Sequence, residues 1–187
     1  MMAGEDVRIA PLAPEQFSPE QAELVGAWTH LNFSKVIVRH PGMYRTFVPF
    51  IEQLIARATL PARDREVLVI RTLGMAGEAY EAHHHVQIAR KTGMSEDEIA
   101  ALARGDASLP DWDGLLVRAA EELVREQRVG DATWEGLAAR YSEEQLMEAV
   151  FLVGCYNTMA MLTKSFGIEV EQDPDADERL SELRQYT

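Results

Sequence analysis

Cysteine is almost missing from this chain: one residue, Cys155, among 187. A lone thiol excludes an intrachain disulfide and a C-x-x-C redox pair. Its context, V-G-C-Y-N-T-M-A, is apolar and reads as a buried structural thiol rather than a reactive one. Positive charge is also scarce, with 18 Lys and Arg against 31 Asp and Glu and a net charge of −13. That balance argues against nucleic acid as a partner, which wants clustered basic residues, and against anionic membranes. No run of about 18 apolar residues reads as a membrane span. No basic segment leads into an apolar core at the N-terminus, so a cytoplasmic protein is expected. Strand-like alternation is lacking as well, and no stretch has low complexity.

What the chain does have is helix punctuation. Residues 1–17 read as an extended N-terminal arm. Residues 18–170 read as one helical domain, and 171–187 as an acidic tail, part of a solvated run from Glu169 to Glu182. Ser18-Pro19-Glu20-Gln21 is a helix start. That helix carries Leu24, Trp28, Leu31 and Ile37 before His40-Pro41-Gly42 breaks it. A second helix follows to about Ala58, with Pro49 kinking or splitting it. A third starts near Arg63 and meets a break at Gly74–Gly77. The next begins at Glu78 and ends at Gly93. Ser95-Glu96-Asp97-Glu98 and Ser142-Glu143-Glu144-Gln145 are capping boxes. The first opens a short helix to Gly105, the second a long apolar helix to Gly167. Two more helices fall between, near Asp113–Gln127 and Ala132–Tyr141. The expected class is all-α, with seven or eight helices.

One feature resists an ordinary core reading. On a helix begun at Glu78, turning about 100° per residue, Glu81 and His85 fall within about 60° of Glu78 on the apolar side. Glu66, twelve residues before Glu78, shares its own helix face with Val69, Ile70 and Leu73. If the chain folds back at Gly74–Gly77, Glu66 approaches the same stripe. Tyr80 projects elsewhere, and His83 and His84 read as solvent-facing. A lone buried carboxylate costs several kcal/mol, about the penalty for an unpaired charge out of water, so the grouping needs a reason.

Three readings compete. Glu66, Glu81 and His85 form an acid–base set, in which apolar surroundings and neighbouring carboxylates bring Glu and His toward neutrality. Alternatively the same three residues hold a divalent metal ion, Glu81 and His85 being at i, i+4. A di-iron bundle needs a second E-x-x-H on another helix, and the chain has none. In the third reading these groups merely satisfy one another in the core, and the chain is an oligomeric binding protein rather than an enzyme.

Three stretches resemble the carboxymuconolactone decarboxylase family, which shares its fold with alkylhydroperoxidase D: L-P-A-R-D-R-E-V-L-V-I-R at Leu60–Arg71, E-A-Y-E-A-H-H-H-V-Q-I-A-R at Glu78–Arg90, and the capped K-T-G-M-S-E-D-E-I that follows. The resemblance implies an alkylhydroperoxidase D-like helical bundle, a homo-oligomer (trimer or hexamer), and a site near a subunit interface. In the peroxidase branch of that family a glutamate, a C-x-x-C pair and a later histidine do the chemistry. Here Glu66 and His85 stand at the glutamate and histidine positions, and Glu78 and Glu81 replace the cysteines. A peroxiredoxin label can follow the family, but these residues support no thiol peroxidase cycle. The resemblance implies a lyase or isomerase without cofactor, with Glu66, Glu81 and His85 catalytic. Glu78, Tyr80 and Arg71 would contact a small-molecule substrate carrying little charge, since a dicarboxylate would be repelled by three glutamates unless Arg71 compensates.

Overall fold

The computed structural model describes residues 7–106 and 108–172, so residues 1–6 of the arm and 173–187 of the tail lie outside the described residues. Among the described residues there are nine α-helices, two 3-10 turns and no strand, one helix more than expected. The all-α class is as the punctuation indicated.

The extra helix comes from the first stretch. Instead of one helix reaching Ile37, α1 (Pro19–Val25) stops at Gly26, whose φ of 50° ends the helical run. A 3-10 turn (Gly26–His30) then leads into α2 (Asn32–Ile37). Pro49 does not split the next helix: α3 runs unbroken over Pro41–Ala56. The described part of the arm lies on its own chain, where Arg8 and Ile9 amides donate to the Phe166 carbonyl.

α4 (Ala62–Ala76) is the axis of the fold. Every residue from Asp64 to Leu73 is buried. Its Val67–Ile70 run, which could have passed for a buried strand, is helical and packed on all sides by α5 (Tyr80–Lys91), α6 (Glu96–Arg104), α7 (Asp111–Glu126) and α9 (Glu143–Phe166). A helix enclosed all round must satisfy its polar side chains internally. Asp64 accepts from Tyr141 Oη at 2.7 Å and Trp112 Nε1 at 3.1 Å. Arg65 Nη1 donates to the Ile55 carbonyl at 2.9 Å. Arg71 Nη1 donates to the Ala103 carbonyl at 2.7 Å, and its Nη2 lies 2.5 Å from Glu121.

α8 (Asp131–Ala138) and both capping boxes fall where the sequence placed them. α9 corrects one expectation: by length and composition it is apolar enough to cross a bilayer, although half of its most apolar window is buried inside the bundle, as in a core helix. Its inward residues include Leu152, Cys155, Tyr156, Met159 and Thr163.

Gly74 shows how tightly α4 is held. A Cβ built there would lie 2.4 Å from the Ala103 carbonyl oxygen, a backbone atom that cannot swing aside. Gly74→Ala is therefore expected to destabilise the protein by about 1–3 kcal/mol through overpacking, despite alanine's better helix propensity. Urea unfolding of the two proteins measures it, and an unchanged or raised midpoint contradicts the packing argument.

Candidate active site

The site is made at the reversal between α4 and α5. α4 ends with Gly77 in the left-handed region (φ 57°, ψ 42°), a conformation that suits glycine. α5 starts only at Tyr80, so Glu78 precedes the helix rather than lying on its apolar face. Its carboxylate caps the helix instead. Oε1 accepts from the Tyr80 amide at 2.9 Å and from Thr163 Oγ1 of α9 at 2.8 Å. Oε2 accepts from the amides of Glu81 at 2.8 Å and Ala82 at 3.3 Å. A negative group at a helix N-terminus satisfies amides that lack intrahelical partners and meets the positive end of the helix dipole. These contacts explain the buried Glu78 without assigning it chemistry.

The reversal brings Glu66 to His85. Glu66 Oε2 lies 2.7 Å from His85 Nδ1, with Glu66 fully buried and His85 nearly so. Glu66 Oε1 is 3.6 Å from Arg65 Nε. The imidazole packs against Tyr156 of α9, with ring centroids 4.7 Å apart and planes at 88°. One turn before His85, Glu81 is buried, and no side chain among the described residues pairs with its carboxyl. Burial, then the charges of Glu78 and Glu171, push that carboxyl well above the ordinary range. The three residues expected to carry the chemistry are thus near neighbours. Among the described residues no group of three His, Cys, Asp or Glu is arranged to hold a metal ion.

Tyr80 and Arg71 are placed elsewhere. Tyr80 Oη accepts from the Phe33 amide at 3.1 Å and donates to Glu171 Oε1 at 2.6 Å. Arg71 follows Glu66 by five residues, about 140° round α4, and is taken up by α6 and α7 as described above.

Three participants were not foreseen. His84, expected in solvent, is buried, with its ring edge-on to Tyr80 at 4.9 Å and its Nε2 3.2 Å from Glu171 Oε2. Glu171, expected in a solvated tail, crosses α5 and also accepts from the Asn32 amide at 2.5 Å. Burial pushes its carboxyl up, but His84, Tyr80 and the Asn32 amide outweigh that and hold it down at about 2. The physical reason is common to both: residues after Gly167 fold back over this side of α5, and a sequence read one helix at a time cannot show it. The third is Tyr156, whose hydroxyl is buried with no partner among the described residues. Leaving such a group unbonded costs about 1–3 kcal/mol. Burial and the carboxyls of Glu81 and Glu66 push the phenol well above its ordinary value. The available signal was a tyrosine and a threonine, Tyr156 and Thr163, in the apolar stripe of α9. Cys155 is buried as expected, and burial, then Glu81, raise its thiol to about 12, so it is not a thiolate near neutral pH.

With this geometry, comparison with known proteins is informative. The carboxymuconolactone decarboxylase family model matches residues 41–126. Those residues contain α3 to α7, including Glu66, Glu81 and His85. An uncharacterised peroxidase-related protein from Ralstonia eutropha, described as an alkylhydroperoxidase AhpD core, superposes with a TM-score of 0.75 at 14% identity, covering 88% of this chain and 93% of its own. A protein of unknown function from Agrobacterium tumefaciens, a putative antioxidant defence protein AhpD, gives 0.63 at 20% identity over 73% and 96%. The debrominase Bmp8, in complex with 2,3,4-tribromopyrrole, gives 0.70 at 16% over 97% and 99%. No functionally curated protein matches. Residues 41–126 are thus similar to the carboxymuconolactone decarboxylase family, and the chain as a whole has the alkylhydroperoxidase D fold.

Two buried carboxyls should leave opposite marks on stability. Glu81 is raised in the folded protein, so its contribution is full below its unfolded value near 4.5 and is lost as pH rises through the folded value. Glu171 is lowered, so its contribution is full above 4.5 and is lost as pH falls toward about 2. Unfolding free energy measured against pH is expected to lose its alkaline-going decline in Glu81→Gln and its acid-going decline in Glu171→Gln. Parallel profiles for wild type and either variant contradict the assignment.

Proposed function

We propose that the protein is a cofactor-independent enzyme that moves protons on a small, weakly charged organic molecule: a lyase or isomerase performing decarboxylation, isomerisation or lactone chemistry. The observation that carries this reading is the buried 2.7 Å contact between Glu66 and His85, one helical turn from an unengaged Glu81. Glu66 fixes the imidazole and stabilises the cation that proton uptake creates, while His85 transfers the proton. Glu81, held un-ionised by its surroundings, is the acid. No metal or redox cofactor has a role in this scheme.

The surroundings favour a neutral substrate. Glu78 fills the N-terminal end of α5, the natural local anion site. Arg71, which could have balanced a dicarboxylate, is committed to Glu121 and Ala103. Tyr80 and Glu78 leave the scheme because their polar atoms are taken up by the fold. A debrominase bound to tribromopyrrole on the same fold is consistent with a small organic ligand.

The reading includes a cytoplasmic homo-oligomer, a trimer or hexamer. Met147, Phe151 and Met161 form an exposed apolar line along α9, with Met43 of α3 also exposed. Phe151 →Phe50 edge packing at 5.9 Å joins the two helices into one surface, and a second copy of the chain is its natural cover. Phe151→Glu is expected to shift the light-scattering mass to that of the monomer, whereas an unchanged assembly places the interface elsewhere.

For activity, a screen of small lactones and enones supplies the substrate. On any compound turned over, His85→Ala and Glu66→Gln are expected to lower kcat by about 10²–10⁴-fold with the fold retained. Full turnover in both variants contradicts the acid–base reading.

A further inference from the structure

The acid–base scheme leaves one group unused. Tyr156 is 1% exposed, packs its ring perpendicular to that of His85, and has a hydroxyl with no partner among the described residues. A phenol that only filled space there could be a phenylalanine at lower cost. Glu81, one turn before His85 on α5, is also buried, and no side chain among the described residues pairs with its carboxyl. The carboxyls of Glu81 and Glu66 both act electrostatically on the phenol.

We infer that the Glu81 carboxyl and the Tyr156 hydroxyl form an oxyanion-binding pair for a neutral carbonyl substrate, beside the His85–Glu66 base. This deepens the acid–base reading and rests on it. With Nδ1–H donated to Glu66, His85 keeps its Nε2 lone pair for a C–H proton next to the carbonyl. The C–H bond breaks, its proton goes to Nε2, and its electron pair moves onto the carbonyl oxygen as an enolate. Two O–H donors then meet that oxygen, one phenolic and one carboxylic. Return of the proton from Nε2 to another carbon of the conjugated system completes an isomerisation with no redox partner. A donor pair of a phenol and an un-ionised carboxyl is well suited to this, because both offer a proton to developing charge without carrying charge that would repel it. The substrate class is therefore a neutral enone, ketone or unsaturated lactone with an acidic C–H.

Binding of 2-naphthol, followed by its fluorescence, tests the pair, its hydroxyl standing in for the enolate oxygen. The folded wild-type protein is expected to bind it, and to bind ring-substituted phenols more tightly as their acidity rises. Tyr156→Phe is expected to weaken binding by about tenfold or more, with Glu81→Gln losing less than Glu81→Leu because the amide still donates. Absence of binding, affinity independent of phenol acidity, or equal affinity in Tyr156→Phe would overturn the pair. The acidity series needs no variant, so it decides the matter even if Tyr156→Phe fails to fold. In parallel, deuterium uptake from D2O beside the carbonyl of 2-cyclohexenone reports on His85. Exchange lost in His85→Ala together with unaltered naphthol binding in Tyr156→Phe sinks the pair alone. Exchange indifferent to His85 sinks the acid–base reading instead.

Discussion

The site depends on the reversal between α4 and α5. A left-handed Gly77 stops one helix, and the Glu78 carboxylate collects the free amides that start the next. Thr163 ties the same carboxylate to α9. Without this, α5 would have no fixed rotation against α4, and the Glu66–His85 contact, which spans 19 positions in sequence, would have no defined length. The capping carboxylate of Glu78 and the buried carboxyls of Glu66 and Glu81 are thus placed by one reversal but have separate surroundings.

Four buried acids are kept apart by what touches them. Glu78 has four donors, three of them amides at the helix start and one a hydroxyl from α9. Glu66 has an imidazole on one oxygen and a guanidinium near the other. Glu171 has a phenol, an amide and an imidazole, enough to hold it low despite burial. Glu81 has no such partners among the described residues, and burial, then the charges of Glu78 and Glu171, push its carboxyl well above the ordinary range. Environment rather than residue type thus separates these carboxyls, and the negative surroundings that raise Glu81 would also repel an anion.

Helix punctuation made most of the fold legible. Ser95 and Ser142 open helices where their boxes stand, and Gly105 and Gly167 close them, because these signals are local. Glu66, Glu81 and His85 were legible for a different reason: polar residues at apolar positions are costly and stand out. The errors came from contacts between distant segments. Glu78 looked like part of the helical stripe, since a wheel cannot show that its side chain turns back to cap the helix. His84 and Glu171 looked solvated because each is buried by the other's segment, 87 positions apart. Tyr156 drew no reading, because a tyrosine among apolar residues usually has a partner for its hydroxyl, and only the folded chain shows that this one has none among the described residues.

α9 explains a further obscurity. Its inner side places Tyr156 against His85, Thr163 on the Glu78 cap and Cys155 in the core, while Met147, Phe151 and Met161 face outward. A helix that is apolar on both sides shows little amphipathic contrast, which is why its sequence resembles a membrane span as much as a core element. The two sides are rigidly linked, since residues 152, 155, 156, 159 and 163 point inward from the same rod that carries 147, 151 and 161 outward. Any cover on the outer side would restrain the rod's rotation, and rotation of the rod is what would carry the Tyr156 ring away from His85. The outer apolar line and the inner polar residues are thus best understood as parts of one positioning element.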